Sequence, residues 1–287
     1  MDDDLLRYSR SFDTVASAYD RGRPSYPTAA VEWLIGPDQK TVLEVGAGTG
    51  KLTEQLVALG HDVHATDPSS VLLGVLTDRL TGVRTSVARA EELPLLDGSV
   101  DVVVCAQAFH WFDQAAALAE FARVLRPGGH LALAWNTRDE KVPWVRKLGA
   151  IIGTQDAAIQ VPDSLVRSDR YGFVEESSHR FWQVVDGESL CDMALSRSNV
   201  AVLDDPAKEE LLAEVRRFYA DYGRGADGMQ LPWITRCFKA SVVEHAWSLP
   251  RREGAYGDGR RDTDGGEPTQ PIQADEPTNE SLLIDFR

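Results

Sequence analysis

An apolar run, Val42-Leu43-Glu44-Val45, ends in three alternating glycines, Gly46, Gly48 and Gly50. A segment with helical character, Lys51 to Leu59, follows at once. A β-type run, a tight glycine turn and a helix in immediate succession is the opening of a parallel α/β sheet. Glycine supplies the turn because it reaches backbone angles closed to other residues and lets a ligand approach the main chain. The spacing departs from the dinucleotide fingerprint G-x-G-x-x-G. Lys51 stands where the third glycine of that fingerprint belongs, and Gly50 falls one residue early.

The next run, His61 to Asp67, reads as a short strand that ends in an acid about twenty residues past the turn. In doubly wound folds an acid at that distance accepts hydrogen bonds from ribose hydroxyls. Asp67 therefore suits either a nicotinamide dinucleotide or S-adenosylmethionine (SAM). Pro68, Ser69 and Ser70 then start a helix over Val71 to Leu80, with serine as its cap. Val83 to Ala88 reads as a third strand. Asp101-Val102-Val103-Val104-Cys105-Ala106 has no alternation, as in a strand buried on both faces. Asp113 to Leu125 is amphipathic, with Leu118, Phe121, Ala122 and Leu125 near helical spacing. Arg126-Pro127-Gly128-Gly129 is expected to stop it, and His130 to Trp135 forms strand five. Beyond lie a helix over Pro143 to Ile152, strand six at Arg180 to Val184, helices over Glu188 to Ser196 and Pro206 to Tyr222, and a last strand over Pro232 to Ala240.

Several of these stretches together resemble the class I SAM-dependent methyltransferases. The turn Glu44-Val45-Gly46-Ala47-Gly48-Thr49-Gly50 is similar to their motif I. Arg123-Val124-Leu125-Arg126-Pro127-Gly128-Gly129 is similar to the segment before their fifth strand. Ala90-Glu91-Glu92-Leu93-Pro94 with Ser99-Val100-Asp101 resembles a further stretch of the same proteins. Gln107 to Asp113, Phe12 to Ala16, Tyr19-Asp20 and Arg23 to Pro27 resemble the trans-aconitate methyltransferase-like branch, whose domain is of methyltransferase type 11. The likeness runs from about Phe12 to Ala240.

The resemblance implies a Rossmann-like, doubly wound α/β fold with a seven-stranded sheet. Strand seven would run antiparallel between strands five and six. It also implies an N-terminal helical lid over residues 1–35, a methyltransferase domain over 36–245 and a small helical insertion. SAM is the implied cofactor, bound by Tyr19, Arg23, Glu44, Gly46, Ala47, Gly48, Asp67, Pro68, Ala90, Glu91 and Gln107. One departure concerns Arg89, where many relatives carry an acid that meets the adenine amine; arginine has no acceptor to offer. Adenine recognition then falls to the backbone of Ala90 and Glu91, to the Glu91 side chain or to apolar neighbours.

Methyl transfer from a sulfonium is an in-line displacement, so alignment and exclusion of water dominate. Aromatic faces near the positive sulfur help by cation–π attraction, and Tyr19, Phe109 and Trp111 are the candidates. His110, after strand four, stands at the carboxyl edge where such sheets bind ligands. An imidazole there serves either as a general base or as a partner for a substrate carboxylate. Trp111, Trp135, Arg197 and Arg236 are the expected substrate contacts, since guanidinium pairs with carboxylates in two-pronged fashion. The expected activity is methylation of a small molecule, at a carboxylate or hydroxyl of an organic acid or secondary metabolite.

Composition narrows the alternatives. The formal net charge of -15 argues against wrapping nucleic acid. No apolar run approaches a membrane span, and the acidic start Met1-Asp2-Asp3-Asp4 is unlike a signal peptide. Cys105, Cys191 and Cys237 lie far apart and give no metal-ligand spacing. A cytoplasmic monomer or homodimer without metal, nucleic-acid or membrane partners is the expectation. Residues 251–287 are rich in Gly, Asp, Glu, Pro and Thr, and are expected to form a disordered acidic tail. Two rival classes stay open. A non-catalytic SAM-binding scaffold shares every motif named above. A short-chain NAD(P) oxidoreductase needs Tyr-x-x-x-Lys, and no tyrosine of the chain has Lys four residues on.

Overall fold

The computed structural model describes residues 21–155, 159–197, 200, 203–222 and 228–243. Tyr19, the first twenty residues of the expected lid and the expected tail over 251–287 lie outside the described residues.

Strands and helices alternate in chain order through the third strand, and less regularly beyond it. They are α1 (Thr28–Ile35), β1 (Thr41–Val45), α2 (Lys51–Ala58), β2 (Asp62–Asp67), α3 (Ser70–Arg79), β3 (Arg84–Val87) and β4 (Val100–Ala106). Then come α4 (Gln114–Val124), β5 (Leu125–Arg138), α5 (Pro143–Ile152), the single turn α6 (Asp163–Val166), β6 (Glu175–Val185), α7 (Gly187–Leu195), α8 (Asp205–Tyr222) and β7 (Met229–Ser241). The strands form one seven-stranded sheet in the order β3-β2-β1-β4-β5-β7-β6. β1 to β5 are mutually parallel. β7 runs antiparallel between its neighbours, from His130↔Ser241 to Arg138↔Trp233 on one side and from Glu175↔Lys239 to Val185↔Met229 on the other. This is the expected doubly wound α/β fold with an antiparallel seventh strand.

The unbroken valine run of β4 divides between two cores. Val103 and Cys105 face a cluster built with Leu43, Leu131, Leu133 and the Phe121 side of α4. Val102 and Val104 face the opposite cluster, formed with Leu34, Leu52, Leu56 and Ala132. Burial on both faces removes any polar–apolar alternation, because no strand face meets water. α1 belongs to this second cluster: Ala30, Val31, Leu34 and Ile35 are at most 1% exposed. So the last eight residues of the expected lid are a core helix. A third cluster joins α5, α7 and α8 to the start of β7 through Leu148, Leu190, Val215, Leu231 and Trp233. It is the small helical insertion.

Local chemistry sets most of the boundaries. The Ser69 hydroxyl accepts from Leu72 N, and the Asp113 carboxylate accepts from Ala115 N and Ala116 N, so both residues cap the helices that follow. Arg126-Pro127-Gly128-Gly129 does not stop α4, contrary to the sequence expectation. The chain is already extended at Leu125 (φ -71°, ψ 137°), which pairs with Val100. The four residues instead make an irregularity in the β4–β5 ladder. Arg126 holds it there, donating to Asp101 Oδ1 at 2.8 Å and to Ser99 O at 2.9 Å. β6 begins five residues earlier than its apolar part suggested, at Glu175-Glu176-Ser177-Ser178-His179. That stretch is polar because β6 is the edge of the sheet and one of its faces is exposed.

Candidate active site at the carboxyl edge

The glycine turn sits where β1 and β2 end side by side. Gly46 N and Ala47 N both donate to Thr66 O, at 2.8 and 3.0 Å. The turn is thus stitched to β2 before a ligand enters. Gly46 and Gly48 have φ of 73° and 55°, the left-handed region that glycine enters without a Cβ penalty. Asp67, the last residue of β2, completes the turn. Its Oδ2 accepts from Gly48 N at 2.9 Å and its Oδ1 from Ser69 N at 2.8 Å. Burial raises the Asp67 pKa, and these two backbone bonds work against the rise. Each oxygen keeps a lone pair beyond those contacts.

Glu44 is buried beneath the turn, where its Oε2 accepts from Thr53 Oγ1 at 2.6 Å. Burial pushes its pKa up to about 8; the Thr53 bond lowers it, and the Asp67 charge raises it further. Across the cleft, Gln107 is the one non-glycine residue with positive φ (61°) among the described residues. Its main chain donates to Ala134 O, and its amide Nε2 donates to Asn136 O at 2.9 Å. Asn136 is itself fixed: Nδ2 donates to Ser25 O, and Oδ1 accepts from Thr235 Oγ1 at 2.7 Å. One main-chain and one side-chain hydrogen bond thus hold this left-handed residue at the lip of β4.

Six of the expected cofactor residues line one narrow cleft: Arg23, Glu44, Gly46, Ala47, Gly48 and Gln107; Asn136 is among the further residues that line it. Arg23 is held over it by donation from Nη2 to Ser196 O at 3.0 Å. The neighbouring Arg21 forks onto the Asp192 carboxylate at 2.7 and 3.2 Å. Through these bonds the segment before α1 is clamped to α7. Pro68 is exposed after β2. Ala90 is buried. Both Glu91 oxygens are engaged, Oε1 by Asp113 N at 2.9 Å and Oε2 by Arg89 Nε at 3.3 Å. Arg89 points largely into solvent.

A second group forms beyond β4. Phe109–Trp111 is a single 3-10 turn. Phe109 is buried in the core, so the aromatic expected beside the sulfonium is a packing residue. His110 and Trp111 rings lie 4.6 Å apart. Trp135 Nε1 donates to His110 Nδ1 over a long 3.5 Å. Desolvation lowers the His110 pKa, which favours the neutral ring with its proton on Nε2. In that tautomer His110 offers a donor outward, and it acts as a base only if Trp135 releases Nδ1. Arg236 is the cross-strand partner of Trp135. Its guanidinium donates to Glu176 Oε2 at 3.3 Å. Arg197 stands apart from this pair, at the end of α7, donating to Thr154 O at 3.1 Å. Asn136 and Arg138 escaped the sequence reading. The signal for them was the polar run Asn136-Thr137-Arg138 directly after an apolar strand at the binding edge.

A larger cavity of about 420 Å³ lies at the opposite, amino-terminal edge of the sheet, lined by residues such as Lys40, Asp101, Arg126, His130 and Lys239. It carries none of the glycine-turn chemistry, and open α/β sheets bind ligands at the carboxyl ends of their strands. Among the described residues no group of three or more His, Cys, Asp or Glu side chains is arranged to hold a metal ion. No described helix is long and apolar enough to cross a membrane.

Comparison with known proteins agrees with this geometry. Residues 43–133 match the methyltransferase domain family. An uncharacterized methyltransferase of Mycobacterium tuberculosis is 41% identical over 237 residues, covering 82% of this chain and 97% of that protein. An uncharacterized methyltransferase-like protein of Schizosaccharomyces pombe is 35% identical over 244 residues, covering 80% and 95%. A solved structure from Anaeromyxobacter dehalogenans, described as a type II methyltransferase, superposes with a TM-score of 0.55 at 24% identity, covering 76% of this chain and 97% of that one. It shares the fold. With strand order, glycine turn and relatives in agreement, the chain belongs to the class I SAM-dependent methyltransferases.

Proposed function

We propose that the chain binds SAM in the carboxyl-edge cleft and transfers its methyl group to a small-molecule acceptor, at a carboxylate or hydroxyl oxygen. The observation that carries this reading is Asp67. It is a buried carboxylate at the end of β2 whose oxygens are each held by one backbone N–H of the surrounding turns. Such a group is pre-oriented to accept from a ribose diol, and the adjacent glycines leave room for the cofactor to pass. The cofactor supplies an electrophilic methyl group on a positive sulfur. The protein's part is to hold it and to exclude water. Glu44, Gly46, Ala47, Gly48, Pro68, Ala90, Glu91, Gln107 and Arg23 are the proposed walls, with Tyr19 on the segment outside the described residues. Trp111, Trp135, Arg197 and Arg236 are assigned to the acceptor side. His110 orients the acceptor through its Nε2–H. The cleft encloses about 60 Å³, against roughly 300–1,000 Å³ for small-molecule sites. The cofactor would therefore extend beyond this cleft, along the Asp67 and Glu91 side of the turn.

Two measurements test the proposal. Asp67→Ala is expected to weaken SAM binding by about 1–3 kcal/mol, because the ribose hydroxyls lose a charged acceptor. Unchanged affinity by calorimetry would remove Asp67 from the site. Incubation of the full chain with methyl-labelled SAM and a panel of organic acids and hydroxylated metabolites is expected to label at least one acceptor. SAM binding with no labelled product across the panel would favour a non-catalytic SAM-binding protein instead.

A further inference from the structure

Three guanidinium groups meet at one corner of the carboxyl edge. Arg138 ends β5 with a side chain only 1% exposed. Its Nη2 donates to Glu140 Oε1 at 3.0 Å and to Gly153 O at 2.6 Å, while its buried Nε has no acceptor. Arg197 donates from Nη2 to the very next carbonyl, Thr154 O, and its Nε is likewise buried without an acceptor. Arg23 binds the carbonyl of Ser196, the residue before Arg197. Burial and the charges of Arg138 and Arg23 push the Arg197 pKa down to about 10. Burial lowers that of Arg138 too, with Arg23 adding to the effect. Glu140 is the one carboxylate paired with Arg138 or Arg197 among the described residues. Among the described residues positive charge here exceeds negative charge, in a place where an unmatched ion is expensive.

We propose that Arg138 and Arg197 form an anchor for an oxyanion group, carboxylate or phosphate, carried by the methyl acceptor, so that the enzyme selects anionic small molecules. The inference rests on the methyl-transfer reading above. Each arginine keeps an unfilled Nε–H, and guanidinium groups hold planar oxyanions and phosphates through paired N–H donors. The anchor is continuous with the active site, because Asn136 lines the cleft and Arg138 follows two residues on, on the same face of β5. It is also separate from the cofactor wall. Arg23 lines the cleft, whereas Arg138 and Arg197 do not. The rival source of an oxyanion is the carboxylate of the cofactor's own methionine moiety, and the test separates the two.

Calorimetry on the full chain measures S-adenosylhomocysteine, succinate and inorganic phosphate binding to wild type, Arg197→Gln and Arg197→Lys. Arg197 is the better target because it is only partly buried, so its replacement spares the fold more than that of Arg138. Wild type is expected to bind succinate or phosphate in the millimolar range. Arg197→Gln should weaken that anion at least tenfold, with Arg197→Lys in between, while S-adenosylhomocysteine affinity stays within twofold. Whichever anion binds more tightly identifies the acceptor's group. Absence of anion binding to wild type, or equal binding to wild type and Arg197→Gln, overturns the proposal. A tenfold loss of S-adenosylhomocysteine affinity in Arg197→Gln also overturns it, assigning the cluster to the cofactor's carboxylate. If wild type takes up no S-adenosylhomocysteine, the methyl-transfer reading falls, and anion titration of the cofactor-free chain still decides whether the anchor exists.

Discussion

Replacing Gly46 by alanine is expected to destabilise the chain by about 2–5 kcal/mol and to abolish measurable SAM binding. Two costs combine. The residue has φ of 73°, and a left-handed backbone costs an L-residue roughly 1–2 kcal/mol. An added Cβ would also lie 2.5 Å from the Cβ of Ala108. That atom is fixed to the main chain of the β4 edge and cannot rotate away, so overpacking adds about 1–3 kcal/mol. Gly48→Ala is the control. Its φ of 55° is equally unfavourable, but nothing lies within 4 Å of the added atom. It should cost about 1–2 kcal/mol, from strain alone. Urea unfolding of the two variants measures the difference directly. Equal destabilisation would mean that Ala108 is free to yield.

The second large effect is a pH dependence. Glu44 is raised by burial from 4.5 to about 8. The folded chain then holds a proton on Glu44 that the unfolded chain has already released once pH passes 4.5. Its contribution to stability is most favourable below that pH. It declines as pH rises towards 8 and stays at its full cost above. At about 1.4 kcal/mol per pH unit, the accumulated cost is on the order of 3–5 kcal/mol. Glu44→Gln keeps an acceptor for Thr53 and removes the titration. Its stability relative to wild type is therefore expected to improve by about 3–5 kcal/mol between pH 5 and pH 9. Comparing two pH values for the same pair cancels any constant cost of the extra amide donors. Parallel pH–stability curves for the two proteins would show that Glu44 ionises without penalty.

The parts legible in the sequence are those set by one strand–turn–helix–strand unit. Gly46, Gly48 and Asp67 lie within a single βαβ step, so their mutual geometry follows from spacing. The same holds for Asp113, whose cap is local to α4. What was not legible depends on segments far apart. Arg138 looks like an ordinary charge after a strand. It becomes a buried guanidinium because the residues after α5 bring Gly153 O to it, and the loop beyond α7 sets Arg197 beside it. The clamp of Arg21 on Asp192 spans 171 positions and leaves no periodic trace. The early half of β6 was missed for another reason: an edge strand is free to be polar, and a strand without alternation is invisible to pattern. The RPGG segment was misread because its proline and glycines mark a ladder irregularity as readily as a helix end.

The position of β7 in the sheet sets the earliest point of synthesis at which β6 can join it. β1 to β5 pair only with one another on that side of the sheet, so a ribosome-bound chain can assemble them as they emerge. β6 pairs with β7 alone, and β7 begins 44 residues after β6 ends. Until Met229 and its successors appear, the eleven residues of β6 have no ladder to join, and the insertion that holds Asp192, Ser196 and Arg197 lacks the strand it packs on. The glycine turn and Asp67 can therefore stand ready while the nascent chain is still open at its far edge. β7, the last of the described strands, closes the sheet and, with it, the wall that grips Arg21 and Arg23.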